Sequence, residues 1–240
     1  MTASEPAVTL RVVSYNVRGL CGDGAAVARV LRELDPDVAF VQELPKVVLW
    51  RGRAASFARR ADLLYAAGGG TTGGTALFTA VRVDLREVRE HRLRRTPGLA
   101  RRGLVLARLE KDGVAFGAGS LHLGADAGER ARHLTELTGL VNRLGLPVTV
   151  LGGDLGEPPS APTWTRLASQ YADAGGSDPT PTYPVADPRQ RVDGIFVRGA
   201  EVTAYRVVDT PDVRAAGGHL PVVADLALTP AARRSSGPAL

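Results

Sequence analysis

The sequence predicts an α/β fold in which two packed sheets carry helices on their outer faces. Two observations lead there: strand-like segments outnumber helical ones, and several successive strands are joined by hairpin-type turns. That pattern fits paired sheets rather than a doubly wound parallel sheet. The chain has 240 residues, enough for one large domain or two small ones, and it can bury a substantial core without disulfides. No internal repeat divides it.

The elements follow in order. Leu10 to Val17 is rich in β-branched residues and ends in a glycine-rich turn, Gly19 to Gly24. Val27, Val30, Leu31 and Leu34 mark the apolar face of a helix that Asp35-Pro36 closes, because the residue before proline avoids the helical region. Val38 to Gln42 is a short buried strand. Trp50 to Tyr65 reads as a second helix. The glycine loop Gly68 to Gly74 then leads into Ala76-Leu77-Phe78. It is not a Walker phosphate cradle, since no Gly-Lys-Ser/Thr and no helix follow it. Residues 81–95 read as strand and then arginine-rich loop. Leu104–Glu110 and Val114–Leu121 form a hairpin turning at Lys111-Asp112-Gly113. A helix runs from about Gly128 to Leu144, with Asp126 and Glu129 placed as a capping box. The apolar strand at Val148 to Leu151 stops at Gly152-Gly153. A short helix at Thr163–Ser169, a proline-rich loop at 178–188, and strands at Val192–Val197, Val202–Val208 and Leu220–Leu228 complete the chain. Leu220, Val222, Ala224, Leu226 and Leu228 are expected on one side of the last strand. Residues 9–228 are expected to form a single domain, with flexible ends at 1–8 and 229–240.

Composition excludes several classes. With 44% hydrophobic and 23% charged residues the chain is neither disordered nor fibrous. It has no apolar run of membrane-spanning length. Met1 to Pro6 is neither basic nor apolar, so it is not read as a secretory signal and the expected compartment is the cytoplasm. A single cysteine, Cys21, excludes an intrachain disulfide and a cysteine-based zinc cluster. The formal net charge is +5, but 28 of the 30 basic residues are arginine. Such a bias follows from a GC-rich genome, so charge alone is weak ground for a nucleic-acid partner. The 5% aromatic content also leaves few platforms for stacking bases.

The informative feature is where the acid, amide and imidazole groups fall. Asn16 ends the first strand, Glu43 follows the second, and His122 ends a strand in Ser120-Leu121-His122. Asp154 follows the apolar strand, Asp193 lies inside another, and His219 opens the last. Singly, each has an ordinary reading: Asn16 a turn residue, Glu43 surface charge, His122 a satisfied core histidine, Asp154 a turn aspartate. Asp193 within an apolar strand is harder to dismiss, because a lone buried carboxylate is costly. Its natural partner is His219. Ser120, His122 and Asp154 do not make a nucleophilic triad, since residues two apart on one strand do not reach each other as nucleophile and base. Cys21 shows no base to activate it and reads as a small loop residue.

In order along the chain, Ser14-Tyr15-Asn16, Gln42-Glu43, Ser120-Leu121-His122, Gly153-Asp154-Leu155-Gly156, Val192-Asp193-Gly194-Ile195-Phe196 and Gly217-Gly218-His219-Leu220-Pro221-Val222 resemble the motifs of the endonuclease/exonuclease/phosphatase superfamily, also called DNase I-like. The resemblance spans about residues 9–228. It implies a four-layer α/β/β/α sandwich of two mostly antiparallel sheets, with the active site at one end. It implies a metal-dependent hydrolase of phosphate esters that uses one Mg2+ or Mn2+ ion. Glu43 is then the principal metal ligand, with Asn16 and Asp154 at the metal. Asp154 orients or deprotonates water, His219 is held by Asp193 and acts on the phosphate, and His122 donates a hydrogen bond to it. Arg102, from the arginine-rich stretch 86–102, joins Asn16 and His122 as a phosphate-binding candidate, beside the alternative of a merely solvated arginine surface. The expected substrate is a phosphate ester of a small molecule, a lipid headgroup or a nucleic acid. Two positions depart from the pattern: Gly156 stands where the family has asparagine, and Gly218 where it has aspartate. Both losses point to an altered metal and phosphate site. They leave open a non-hydrolytic relative that binds a phosphate-bearing ligand. Asp209 and Asp212 are candidates to replace the missing carboxylate.

Overall fold

The computed structural model describes residues 7–229. Most of the ends expected to be flexible lie outside them, but Val8 already opens the first strand. The elements are β1 (Val8–Asn16), α1 (Gly24–Leu34), β2 (Val38–Gln42), α2 (Trp50–Arg60), β3 (Leu64–Gly69), β4 (Thr75–Thr79), β5 (Asp84–Arg92), β6 (Gly103–Lys111), β7 (Val114–His122), α3 (Ala127–Asn142), β8 (Thr149–Asp154), α4 (Pro162–Ala168), β9 (Ala172–Asp173), β10 (Asp193–Arg198), β11 (Glu201–Val207), α5 (Pro211–Ala216) and β12 (Val222–Leu228).

They form two six-stranded sheets, in the orders β11-β12-β1-β2-β4-β3 and β5-β6-β7-β8-β10-β9. Each sheet is antiparallel except for one pair: β1 runs parallel to β2, and β7 runs parallel to β8. These pairs are connected through α1 and α3, the crossovers that parallel strands require. The layers explain the sequence pattern. In β1, Leu10 and Val12 face the second sheet, while Val13 and Tyr15 pack under α1, α2 and α5. A strand buried on both faces reads as a continuous apolar run. Leu134, Leu137 and Val141 of α3 and Trp164 of α4 cover the outside of the second sheet.

The sheets approach closely at one point. A Cβ built on Gly152 would lie 2.2 Å from the ring of Phe40, so Phe40 of β2 fills the space that a side chain at 152 would take. Phe40 is fully buried.

Local chemistry sets the ends. The Asp23 side chain accepts from Ala25 N–H at the start of α1, and Asp126 accepts from Glu129 N–H at the start of α3. The reciprocal half of the expected capping box is absent. The Glu129 carboxylate accepts instead from Thr96 N–H and ties down the arginine-rich loop. Asp112 and Gly113, both at positive φ, make the β6–β7 turn as expected. Helix α2 ends at Arg60 rather than Tyr65. The chain turns at Asp62, in the left-handed region, and Leu64 onward pairs with β4. Leu220 is not part of the last strand: it packs with the α1 and α5 cluster, whereas Val222, Ala224, Leu226 and Leu228 face the other sheet. The short helix α5 went unforeseen. Its signals are Thr210, whose side chain accepts from Val213 N–H, and Pro211 at the first helical position.

The contact between Phe40 and Gly152 yields a test. Gly152→Ala is expected to destabilise the protein by about 1–3 kcal/mol through overpacking. Combining it with Phe40→Leu should cost less than the sum of the two single changes, because the smaller side chain makes room. Denaturant unfolding of the four proteins measures the coupling; strict additivity would refute it.

Candidate active site

Strand direction gathers the polar residues. Parallel pairs bring their carboxyl ends to the same edge of a sheet. Asn16 and Gln42 are thus opposite each other at the end of β1 and β2, and His122 and Asp154 at the end of β7 and β8. Strand β10 runs antiparallel to β8 and starts at this edge, so Asp193 lies opposite Asp154. Strand β12 likewise starts at this edge beside β1, and the preceding His219 donates its backbone N–H to Asn16 O at 3.0 Å. All six residues singled out from the motifs come to one place. Glu43, His122, Asp154 and His219 line a cavity of about 290 Å³ together with Arg102 and Gly156. Asn16 and Asp193 stand just behind, almost fully buried.

Asp154 is the hub. Its Oδ2 accepts from the Asn16 side-chain amide at 2.9 Å, and its Oδ1 accepts from Gly156 N–H at 2.8 Å. The same Oδ2 lies 3.4 Å from His122 Nε2 and 3.9 Å from His219 Nδ1. The Asn16 oxygen accepts from Arg18 N–H at 3.0 Å, so both ends of that amide are engaged. Glu43 follows β2 at positive φ, held by hydrogen bonds from Gly19 N–H to its carbonyl and from Leu44 N–H to Gly74 O. Its Oε1 is 3.9 Å from His122 Nε2. Among the described residues no group donates a hydrogen bond to this half-exposed carboxylate.

The two histidines have opposite partners. Arg102 donates to His122 Nδ1 at 3.1 Å. A guanidinium has no acceptor, so His122 Nδ1 is bare and the ring's proton sits on Nε2, aimed into the cavity. Burial first, and then the nearby cations Arg102, His219 and Lys46, push the His122 pKa down to about 3 against the pull of Asp154. His219 donates from Nδ1 to Asp193 Oδ2 at 2.9 Å. Burial lowers its pKa, but Asp193, Asp154 and Glu43 outweigh that and raise it to about 9. One imidazole is therefore a neutral donor at neutral pH and the other a cation.

Glycines 156 and 218 differ physically. A Cβ on Gly156 would meet nothing nearer than Gly124 O at 3.5 Å, and its φ of +66 is one asparagine tolerates. A Cβ on Gly218 would lie 2.2 Å from Asn16 O. The β1 backbone fills that space, the same approach that lets His219 N–H reach Asn16. Neither expected stand-in reaches the cavity lining. Asp209 is paired with Arg214 at 2.6 Å and Asp212 with Arg29 at 2.8 Å. Cys21 is exposed and does not line the cavity.

Sequence reasoning missed Tyr183, Gln190 and Arg18 on the cavity wall. The Tyr183 ring stands 4.6 Å from the His219 ring, and Tyr183 pairs with Gln190 as an isolated bridge. The only advance signal was an aromatic residue inside the proline-rich loop. The arginine-rich stretch divides: Arg86 and Arg89 pair with acids on the edge strand β5 and its neighbour β6, while Arg102 turns inward to His122.

Comparison with known proteins agrees with this geometry. The model of the endonuclease/exonuclease/phosphatase family matches residues 13–225. No curated protein sequence matches the chain. Among solved structures, an endonuclease/exonuclease/phosphatase family protein from Bacteroides thetaiotaomicron superposes with a TM-score of 0.78 at 18% identity, over 92% of this chain and 98% of that one. A mannosyl-6-phosphatase from the same organism gives 0.76 at 18% identity, over 90% and 99%. The human Nocturnin catalytic domain with bound sulfate gives 0.70 at 18% identity, over 91% and 94%. At such identities the likeness lies in the fold, a DNase I-like pair of mixed sheets. Six motifs meeting at one edge and a family match over nearly the whole described chain lead to one conclusion: the chain belongs to the endonuclease/exonuclease/phosphatase family.

Proposed function

We propose that this cavity hydrolyses a phosphate ester with one divalent cation, Mg2+ or Mn2+, as cofactor. The observation that supports it most is the row His122, Asp154 and Asp193, joined by His219 from the other sheet, beside a Glu43 carboxylate that accepts no hydrogen bond among the described residues. The donor set suits a hard cation: the carboxylates of Glu43 and Asp154 offer oxygens within 4.8 Å of each other. Glu43 and Asp154 would hold the ion. When bound, it would neutralise phosphate charge and ease attack at phosphorus. Asn16 sits beside them, and its engaged amide fits best with the task of fixing Asp154.

The remaining steps belong to side chains. Asp154, its two oxygens oriented by Asn16 and Gly156 N–H, positions the attacking water and takes its proton. His122 donates from Nε2 to a phosphoryl oxygen. The His219 imidazolium, held by Asp193, meets the negative charge that builds on the phosphoryl group as the water–phosphorus bond forms and the ester bond breaks, and the departing alkoxide takes its proton from solvent. Arg102 keeps His122 in the donating tautomer and adds positive charge behind the phosphate. The mannosyl-6-phosphatase with this fold, and the sulfate bound in Nocturnin, accord with a site for a tetrahedral anion. Small phosphate esters, lipid headgroups and nucleic acid all present such a group. The backbone filling the space beside Gly218 favours a second reading. With one fewer carboxylate at the mouth, the chain would bind a phosphate-bearing ligand without turning it over.

Three outcomes test these roles. Glu43→Gln should reduce Mg2+- or Mn2+-stimulated turnover of a phosphate-ester panel by ~10²-fold or more, and His122→Ala by ~10²–10³-fold. A wild-type protein that binds inorganic phosphate and shows no cation-stimulated turnover would establish the second reading instead.

Gly156→Asn should fold normally. Gly218→Asp should lower stability by about 1–3 kcal/mol, because its Cβ meets backbone. Equal thermal midpoints for the two variants would contradict the steric account.

In the metal-free protein, the raised His219 pKa stabilises the fold fully below the ordinary histidine value of about 6.5. That contribution is lost as pH rises through about 9. Asp193→Asn should lower the His219 pKa and so move this alkaline loss to lower pH, while Asp154 and Glu43 still raise that pKa. Denaturant unfolding between neutral pH and pH ~9.5, with the His219 ring followed by NMR, reads it out. An unchanged alkaline limb in the variant would refute the pairing.

A further inference from the structure

The segment 44–61, directly after Glu43, stands apart from the rest of the surface. It contains Lys46, Arg51, Arg53, Arg59 and Arg60 and no acidic residue. Its five charges equal the chain's formal excess of +5, and the other acid-free basic stretch, 91–109 with six arginines, has no exposed aliphatic run beside it. All five cations are exposed, and among the described residues none is paired with a carboxylate. Elsewhere Arg29 of α1, Arg86 and Arg89 of β5 and Arg214 of α5 are tied to aspartate or glutamate.

Between these cations lie three consecutive exposed apolar residues, Val47 (48% exposed), Val48 (83%) and Leu49 (79%), followed by the half-buried Trp50. Leu49 is held at a φ of +60 as it caps α2. A non-glycine residue kept in this region, with its side chain in water, calls for a reason beyond packing. Behind the loop is a depression of about 460 Å³ lined by Leu20, Leu44, Pro45, Val47, Trp50 and Phe57. It adjoins the catalytic cavity: Gly19 on its rim donates to Glu43 O at 2.7 Å, and Arg18 and Glu43 line the cavity on the other side.

We propose that residues 46–60 form a docking face for an anionic lipid surface. Val47, Val48, Leu49 and Trp50 enter the headgroup boundary, and the five cations rest on lipid phosphates and carboxylates. Phosphate attraction alone would suit a nucleic acid equally well. The exposed aliphatic triad decides between them: it gains nothing from a phosphodiester backbone and a great deal from the acyl boundary. Unpaired cations flanking an apolar loop are the combination that interfacial binding requires. No helix among the described residues is long and apolar enough to cross a membrane. The face would bring the neighbouring cavity to the membrane plane, but docking itself needs no turnover.

The test uses the whole chain and vesicles. Trp164 of α4 is buried against the second sheet, so Trp50 is the tryptophan that can report contact. Vesicles of phosphatidylcholine with about a third phosphatidylserine should sediment the protein and shift tryptophan emission to the blue, with the effect fading in high salt. Pure phosphatidylcholine should do neither. Val48→Ser with Leu49→Ser, both at exposed positions, should weaken vesicle binding about ten-fold or more at an unchanged thermal midpoint. Arg53→Gln with Arg60→Gln should weaken it about five-fold per charge. Equal affinity for neutral and anionic vesicles, or unchanged binding by the serine variant, would overturn the proposal. So would retention on DNA that depends on Arg53 and Arg60 but not on Val48 and Leu49, without vesicle binding; the face would then belong to nucleic acid. Absence of phosphatase activity with vesicle binding intact would count against the catalytic reading alone.

Discussion

Everything at the candidate site depends on the backbone register of one strand. Strand β8 lies between β7 and β10, and its last residue pairs with His122 on one side and Asp193 on the other. Three chemically capable side chains thus stand in one row, set by ladder hydrogen bonds rather than by side-chain contacts. A slip of one residue would turn Asp154 to the opposite face and leave the histidines without it. Gly152 and Gly153 sit just before Asp154 in the same strand, where Phe40 and Leu121 press close. The strand is thereby clamped from the other sheet and from its own neighbour.

The first sheet supplies what the row lacks. Asn16 reaches across from β1 to Asp154, and His219, from the turn into β12, reaches across to Asp193. The cavity is sewn between the sheets by these two hydrogen bonds. Burial alone would drive every ionisable group there toward neutrality. The partners decide which group escapes. His219 has a carboxylate behind it and stays charged, whereas His122 has a guanidinium behind it and stays neutral. Two histidines of the same chemistry therefore acquire different capacities from the residue that each backs onto, a division of labour that a phosphoryl site can use.

Much of this was legible in the chain. The apolar runs, the hairpin at Asp112-Gly113 and the positions of the six polar residues at strand ends carried the two-sheet architecture and the site together. What was not legible depended on contacts distant in sequence. Helix α5 is six residues long, too short for periodicity to show, and it is settled by packing against α1. The end of α2 is decided by the pairing of β3 with β4, which no local signal announces. Tyr183 reads as one more loop residue until the fold lays it against His219. Gly218 is the most instructive case. In sequence it is a missing carboxylate, whereas in space it is a point where β1 backbone leaves no room for one.

The arginines show why a total can mislead where a map does not. The formal charge of +5 looked uninformative because arginine bias alone accounts for it. In the fold the arginines separate by what they meet. On the edge strand β5 they alternate with glutamates and aspartate, which blunts an open sheet edge at no net charge. Arg130 and Arg191 are buried, paired with Glu157 and Asp173, and brace the helices and loops outside the second sheet. Two stretches gather cations without acids, 91–109 and 44–61, and only the second sets them beside three consecutive exposed aliphatic side chains and next to Glu43. Random drift in composition would spread the surplus over the surface. Five unpaired cations interleaved with an exposed aliphatic loop on one face are what a surface shaped by contact with an anionic partner would show.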